Sequence, residues 1–357
     1  MAFMIKPPLP PMETRSADEI PVGTNWQYEP KWDGFRCLAF RDEDNVYLQS
    51  KSGQPLARYF PDVVEALKKL PAKEFVIDGE LAIPVNGALS FDELQLRLHP
   101  AASRVAKLAK VHPAIFIAFD LLALDRPASA KLPVRHGSTA GQQSLLQRTL
   151  TERRNFLEKF AKQNFKASKA IRLSPATTDL EQAKKWFDKA GGDLDGVIAK
   201  RLNMRYRPGE RDSAFKIKQI RSADCVIGGF RYASDSKILG SLLLGLYDDA
   251  GLLDHVGFTS ALKTEERRAL TKKFERLRKP PGFTGNAPGG PSRWSSERSG
   301  EWEPLDPKIV VEVAYDHFTG GRFRHGTKIL RWRKDKSPKQ CTMDQVSGRE
   351  GKSLALL

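Results

Sequence analysis

Short runs of apolar residues, rich in aromatic and β-branched side chains, recur through residues 25–220. Runs of this length between turn-forming residues are typical of β-strands. We therefore predict strands over residues 26–32, 36–40, 46–50, 74–83, 114–124, 196–200 and 214–218. Helices are predicted over residues 61–70, 92–106, 149–165 and 180–190. The last two carry apolar residues at three- and four-residue spacing, as an amphipathic helix requires.

The pattern changes around residues 219–223. Beyond this point, strands are predicted over residues 224–232, 241–248, 252–258 and 309–316, with one charged helix over residues 264–277. Several short strands with a single helix predict a small β-barrel of the oligonucleotide/oligosaccharide-binding (OB) kind. The expected organisation is a first domain over residues 1–220, an OB-fold domain over residues 221–345 and a C-terminal tail over residues 346–357.

Three segments lack periodicity. Prolines exclude a helix from the first twenty residues, which we expect to be extended. Residues 126–144, rich in Pro, Ala, Ser and Gly, predict a surface excursion, and residues 280–300 predict a long loop. Loops of that length are uncommon in a domain unless they are functional or mobile.

The composition is that of a folded protein with more than one core. A chain of 357 residues, 40% hydrophobic and 29% charged, suits two domains. The absence of an apolar run of about 18 residues or of a secretory signal leads us to expect a cytoplasmic protein without membrane contact. The isolated Cys37, Cys225 and Cys341 predict reduced thiols, with no disulfide or cysteine zinc site.

The excess of basic over acidic residues indicates what kind of molecule the protein binds. The chain carries 59 Lys and Arg against 43 Asp and Glu, a net charge of +16, and both predicted domains are basic. Such a field favours a polyanion, because release of counterions from nucleic acid is a usual source of affinity. A basic protein whose charge serves only solubility is the alternative until motifs are considered.

Lys31 ends a predicted strand and is followed by the turn pair Asp33 and Gly34. Lysine acts as a nucleophile when its ammonium is partly deprotonated, which nearby cations or desolvation promote. Lys216 and Lys218 alternate along another predicted strand, so both face one side of it. Taken alone, the Lys31 segment is weak evidence, since an Asp-Gly pair is commonly just a hairpin.

Further short motifs follow the Lys31 segment in a fixed order. The Lys31 segment spans residues 29–36, and the motifs that follow it occupy residues 50–53, 78–80, 119–122, 195–200, 216–218 and 331–336. This ordered set resembles the six signature motifs of the covalent nucleotidyltransferases, which comprise DNA ligases, RNA ligases and mRNA capping enzymes. The C-terminal stretch is most similar to bacterial ATP-dependent DNA ligases, especially the compact stand-alone ligase C group. The resemblance covers about residues 22–345 and implies an α+β fold, with an N-terminal ATP-grasp-like nucleotidyltransferase domain of antiparallel sheets and helices before the OB-fold.

The resemblance assigns the nucleotide chemistry to particular residues. It implies that Lys31 attacks the α-phosphorus of ATP and becomes a lysyl-AMP. Lys216 and Lys218 match the paired lysines that hold the phosphates, and two such cations would favour the nucleophilic form of Lys31. The remaining residues implied to contact AMP or ATP are Glu29 at the adenine edge, Pro30, Arg36 near the sugar and the nick phosphate, Glu80 at the ribose, Phe119 stacked on the adenine, and Arg333.

A divalent cation, Mg²⁺ or Mn²⁺, is implied at Asp33 and Asp195. At Asp195 the family usually has glutamate; aspartate keeps the hard oxygen ligand but is one methylene shorter. Lys51 occupies the place of an arginine that faces the 5′-phosphate of the nick, so the charge is kept and the bidentate fork is lost. Ala214 stands where tryptophan is common.

In the predicted OB-fold domain, Arg333, Asp335 and Lys336 match the final motif. The resemblance implies that they orient pyrophosphate for its departure and that the domain closes over ATP and then moves away. Residues 219–223 are the candidate hinge.

The resulting hypothesis is an ATP-dependent ligase of nicked double-stranded DNA, acting as a monomer in DNA repair, at the bacterial nucleoid and with repair proteins as candidate partners. An RNA ligase or a GTP-using capping enzyme is the first alternative. A non-catalytic nucleic-acid-binding OB module is the second. DNA, as opposed to RNA, rests on the resemblance alone.

Overall fold

The computed structural model describes residues 5–125, 142–166, 168–190, 194–234, 236–289, 301–346 and 353–357. The chain divides into two units. Unit 1 comprises residues 1–219 and 350–357, and unit 2 comprises residues 220–349. Within the described ranges, no helix has the length and apolar character that a membrane crossing needs.

The strands of unit 1 lie in the segments that are richest in apolar residues. Its strands are β1 (Arg15–Ser16), β2 (Trp26–Trp32), β3 (Phe35–Asp42), β4 (Asn45–Ser50), β5 (Glu74–Ala82), β6 (Pro84–Val85), β7 (Ala88–Leu89), β8 (Ile115–Asp125), β9 (Gln142–Ser144), β10 (Ile171–Leu173), β11 (Leu194–Arg201) and β12 (Ala214–Lys218). One sheet has the order β1-β12-β11-β2, and a second has the order β10-β8-β5-β3-β4 with β9 beside β8. The long neighbours pair antiparallel, while β1 with β12 and β10 with β8 pair parallel.

In the described part of unit 1 there are five α-helices: α1 (Pro61–Lys68), α2 (Phe91–Leu96), α3 (Ala102–Val111), α4 (Leu150–Asn164) and α5 (Leu180–Asp188). The prediction of one helix over residues 92–106 was wrong, because the structure has two helices there. Pro100 lies in the break, where its ring and its effect on the preceding residue both oppose a helix. Arg97 at the end of α2 is fully buried and donates to both carboxylate oxygens of Asp62, at 2.6 and 3.2 Å.

As far as its residues are described, unit 2 is built from antiparallel strands and one α-helix. Its elements are β13 (Arg221–Tyr232), β14 (Leu239–Tyr247), β15 (Leu253–Thr259), α6 (Thr264–Glu275), β16 (Glu303–Pro304), β17 (Val310–Tyr315), β18 (Phe318–Thr319), β19 (Arg322–Phe323) and β20 (Lys328–Trp332). The sheet has the order β15-β14-β13-β17-β20, with β16 beside β13 and a separate β18–β19 hairpin. Residues from β13, β14, β15 and β17 form its core, with Phe274 of α6 packed among them.

Both termini of unit 1 pack onto its core. The N-terminal lead-in is free of helix within the described residues, and its Ile5 and Met12 are buried against Phe40. Leu354 and Leu356 from the C-terminus pack against the cluster that contains Trp32. Most of the predicted 126–144 excursion lies outside the described residues, although Gln142–Ser144 forms β9. Residues 290–300 of the predicted long loop also lie outside them.

Gly196 allows β11 and β12 to approach closely beside Lys31. Its φ is +142°, and a Cβ there would lie 2.0 Å from the carbonyl oxygen of Ile217. Both the backbone conformation and the contact therefore require glycine.

We expect Gly196→Ala to lower the free energy of unfolding by roughly 2–4 kcal/mol, since the chain must relieve both the clash and the strain. Urea titration followed by circular dichroism measures this. Gly87→Asn is the matched control: Gly87 also has a positive φ, but a Cβ there meets nothing within 4 Å. Equal stability of the two variants would contradict the close-approach argument.

Candidate active site

Lys31 lies near the end of β2, where β11 pairs with it. In the register of these two strands, Lys31 faces Gly196, and Lys218 of β12 faces the other side of the same glycine. This pairing brings three charged groups together. The ammonium of Lys31 contacts the Asp195 carboxylate, and Lys218 Nζ lies 3.4 Å from the same Asp195 oxygen. The Asp195 side chain is only 6% exposed, so the two lysines compensate a buried charge.

A cavity of about 240 Å³ opens beside this cluster. Eight of the residues that the sequence predicts for nucleotide or nick binding line it, namely Glu29, Pro30, Lys31, Arg36, Lys51, Glu80, Phe119 and Lys216. Asp195 and Lys218 do not line the cavity themselves. Asp195 contacts Lys31, which does, and Lys218 contacts Asp195. Burial, together with the neighbouring Lys218 and Lys31, lowers the pKa of Lys216. A group in this position suits an anionic ligand, which would relieve the repulsion among the lysines.

Phe119 shows where an aromatic ligand would lie. It belongs to β8, whose neighbouring residues are buried, yet Phe119 itself is half-buried and faces the cavity. The guanidinium carbon of Arg36 is 4.9 Å from the centre of its ring, and Lys200 Nζ is 4.6 Å from it. The ring is thus an apolar surface bordered by cations, which fits a planar base attached to phosphates.

Lys200 is a charged residue of the cavity that we did not assign from the sequence. Its side chain is buried and donates to Glu29 Oε2 at 2.7 Å, while Gln27 donates to Glu29 Oε1, also at 2.7 Å. The carboxylate at the expected adenine edge is therefore neutralised and fixed before any ligand arrives. A signal was present, because Lys200 ends the motif at residues 195–200 and follows the alternation of β11.

Arg36 is held by a second buried network. Its guanidinium donates to both oxygens of Asp78, at 2.7 and 2.6 Å, and to the carbonyl of Met12 at 3.0 Å. Tyr206 donates its hydroxyl proton to Asp78 at 2.7 Å and accepts from the Met12 N–H at 3.0 Å. Asp78 lies within the predicted Asp-Gly-Glu motif, whereas Tyr206 and Met12 carried no signal in the sequence. The network fixes Arg36 beside Phe119.

Glu80 is the carboxylate expected at the ribose. Burial raises the pKa of Glu80 to about 8, against the lowering effect of Lys31 and Arg36. A carboxyl with a raised pKa is able to donate as well as accept a hydrogen bond at a sugar hydroxyl near neutral pH.

The carboxylates of Asp33 and Asp195 offer oxygen atoms that could hold a divalent cation. Oxygens from the two groups lie within 4.8 Å of each other. Carboxylate oxygens are hard ligands of the kind that Mg²⁺ prefers, so the residues fit such an ion.

The predicted pyrophosphate residues form their own cluster in unit 2. Arg333 donates to both oxygens of Asp224, at 2.8 and 3.0 Å, and to Asp335 at 2.8 Å. Lys336 lies 3.2 Å from Asp224. The hydrogen bond from Arg333 lowers the pKa of Asp335 to about 2. Asp224, near the start of β13, is a partner that the sequence motif did not indicate.

The fold and the lysine-centred cavity of unit 1 are those of a nucleotidyltransferase. The family model described as "ATP dependent DNA ligase domain" matches residues 13–218, and that described as "ATP dependent DNA ligase C terminal region" matches residues 235–336. The chain therefore belongs to the ATP-dependent DNA ligase family.

Individual relatives agree with this membership. The chain is 43% identical over 363 residues to DNA ligase C2 of Mycolicibacterium smegmatis, with 97% of this chain and 96% of the relative covered. It is 30% identical over 329 residues to the multifunctional non-homologous end joining DNA repair protein LigD of Mycobacterium tuberculosis, covering 90% of this chain and 38% of that protein. A solved structure from work on Lig E DNA ligases matches in fold, with a TM-score of 0.53 at 16% identity, covering 92% of this chain and 100% of that chain.

The buried Glu29–Lys200 pair gives a stability prediction. Lys200→Met leaves the Glu29 carboxylate buried without its cation, which costs roughly 3–5 kcal/mol. The double variant Glu29→Gln with Lys200→Met should recover most of that loss, because neither charge remains. Urea unfolding of the single and double variants measures the coupling, and strictly additive losses would rule out the pair as the source.

The raised pKa of Glu80 gives a pH dependence. Because the folded-state pKa is about 8 and the ordinary value is 4.5, the carboxyl destabilises the fold progressively as pH rises between these values. We expect the melting temperature of Glu80→Gln, relative to the unmodified protein, to be higher at pH 8.5 than at pH 5. Each kcal/mol recovered corresponds to about 3 °C. A difference independent of pH would refute the shift.

Proposed function

We propose that this DNA ligase seals 5′-phosphate/3′-hydroxyl nicks in double-stranded DNA through a lysyl-AMP on Lys31. The observation that carries the proposal is the position of Lys31 on the wall of a cavity that also contains Phe119, Glu29 and Lys216. An aromatic surface, a fixed carboxylate and lysines around one amine match three parts of ATP: the face of the base, the edge of the base and the phosphates.

In the first step, the nitrogen of Lys31 attacks the α-phosphorus of ATP. A nitrogen–phosphorus bond forms, the bond to the bridging oxygen breaks, and pyrophosphate leaves with the electron pair of that bond. Lys31 must lose a proton first, and the Asp195 carboxylate in contact with its ammonium is the nearest acceptor. Lys216 and Lys218 balance the charge that develops on the phosphates.

In the second step, a 5′-phosphate oxygen of the nick attacks the same phosphorus and releases Lys31, which leaves AMP joined to DNA by a phosphoanhydride. In the third step, the 3′-hydroxyl attacks the 5′-phosphate and expels AMP. We assign Arg36 and Lys51 to the nick phosphate in these steps. Both line the cavity next to Lys31, and Arg36 is held rigidly by Asp78.

We assign Asp33 and Asp195 to a Mg²⁺ or Mn²⁺ ion. When bound, such an ion supplies positive charge that stabilises phosphate oxygens during displacement. Asp195 contacts Lys31 directly. The same carboxylate is therefore proposed both to contact the nucleophile and to bind the metal ion.

Unit 2 is proposed to be an OB-fold, on the basis of its small antiparallel sheet with one packed helix. Arg333, Asp335 and Lys336 are proposed to orient the departing pyrophosphate. Residues 219–223 at the boundary of the units are the proposed hinge. We further expect a monomer acting in repair in the bacterial cytoplasm. The name of the LigD relative, a DNA repair protein, supports the pathway.

Lys31→Ala should abolish both adduct formation with labelled ATP and nick sealing, by more than about a thousandfold, because the nucleophile is gone. DNA binding should largely survive. Lys184→Ala is the matched control, since Lys184 is an exposed lysine of α5. Incubation with labelled ATP, GTP or NAD followed by denaturing gels, with a sealing assay on nicked DNA, measures each property.

Two results would contradict the proposal. One is residual sealing by Lys31→Ala, and the other is an adduct formed only with GTP. Nicks with RNA placed in turn on the 3′ and 5′ sides would test DNA against RNA as the acceptor.

A further inference from the structure

The segment before β1 runs alongside the loop that leads into β12. The Gly209 N–H donates to the Pro11 carbonyl at 3.2 Å, and the Glu13 N–H donates to the Glu210 carbonyl at 2.7 Å. Two residues later, β1 pairs in parallel with β12. The backbone before and after Glu13 is therefore held by hydrogen bonds within unit 1, which limits the positions that its side chain can take.

The Glu13 carboxylate joins two cations that come from distant parts of the chain. One of its oxygens lies 2.9 Å from Lys51 Nζ and 2.9 Å from Arg211 Nη2. Lys51 follows β4, whereas Arg211 precedes β12. The Glu13 side chain is 22% exposed, while those of Lys51 and Arg211 are 61% and 62% exposed. The Glu13 carboxylate thus holds the solvent-accessible side chains of Lys51 and Arg211 next to each other.

This point lies between two cavities. Glu13, Lys51, Arg36 and Glu80 all line both the cavity beside Lys31 and a neighbouring one of about 730 Å³. Lys51 and Arg36 are the residues assigned above to the 5′-phosphate of the nick. Glu13 therefore presents a carboxylate where that phosphate is expected.

We propose that Arg211 is a second phosphate-binding residue of the nick site, and that the Glu13 carboxylate occupies the place of the phosphate until the nick binds. The inference rests on the proposed function. Carboxylate and phosphate oxygens accept the same charge-assisted hydrogen bonds. Arg211 supplies the bidentate guanidinium fork that Lys51 lacks, so the two residues together replace one arginine.

The exchange is physically favourable. Ion pairs between exposed side chains are weak, so the release of Lys51 and Arg211 from Glu13 is easily reversed. A phosphate monoester carries more negative charge than a carboxylate and competes for both cations. The hydrogen bond from Lys51 lowers the pKa of Glu13, so the acid remains charged near neutral pH and repels the phosphate while it holds the site.

The test measures the affinity of the adenylylated protein, in chelator buffer, for nicks that end in a 5′-phosphate or a 5′-hydroxyl. Arg211→Gln should weaken binding of the phosphorylated nick by about two- to fivefold and leave the hydroxyl nick unchanged. Glu13→Gln should tighten the phosphorylated nick more than the hydroxyl nick. Arg211→Lys should retain part of the preference.

Arg207→Gln is the matched control. Arg207 belongs to the same loop, but its ion pairs are with Glu210 and Asp212. Its loss should affect both nicks equally. If Arg211→Gln behaves like Arg207→Gln, the phosphate site is refuted. The Lys31 adduct, measured on the same preparations, separates this failure from failure of the proposed function: a normal adduct with an unchanged preference refutes the phosphate site alone.

Discussion

The contact between the Lys31 ammonium and the Asp195 carboxylate is the interaction around which the charged residues of the cavity in unit 1 are arranged. It requires β2 and β11 to pair in one register, and it requires Gly196 so that β12 can bring Lys218 to the same carboxylate. The ion pair fixes the position of the Lys31 ammonium beside the cavity that Lys31 lines.

Two further carboxylates of the cavity are buried, and each is balanced by a cation. Glu29 is paired with Lys200, and Asp78 with Arg36. A buried pair contributes little net stability, yet removing one member is costly. The benefit is geometric, because the groups that meet the ligand are held in one conformation and lose little entropy on binding. A fixed conformation for ligand binding is a reason for charged side chains to be buried among the apolar residues around the cavity.

The sequence predicted the parts of this site that depend on local pattern. Alternation in 214–218 placed Lys216 and Lys218 on one side of a strand, and the motif order selected Lys31 from the chain's many lysines. The prediction of a single helix over residues 92–106 was wrong because Pro100 interrupts that segment. No local signal could reveal that Glu13 meets Arg211 or that Tyr206 holds Asp78, since those contacts depend on the tertiary path of the N-terminal segment.

The departures from the family pattern also make physical sense only in three dimensions. Asp195 contacts the Lys31 ammonium directly, beside the close approach of β11 and β12 at Gly196. Likewise, lysine at position 51 lacks a guanidinium fork. Arg211, in the loop before β12, contacts the same Glu13 carboxylate oxygen as Lys51. Both substitutions keep the charge that the family pattern has at these positions. Each place also has a further cation: Lys218 contacts Asp195, and Arg211 contacts the same carboxylate as Lys51.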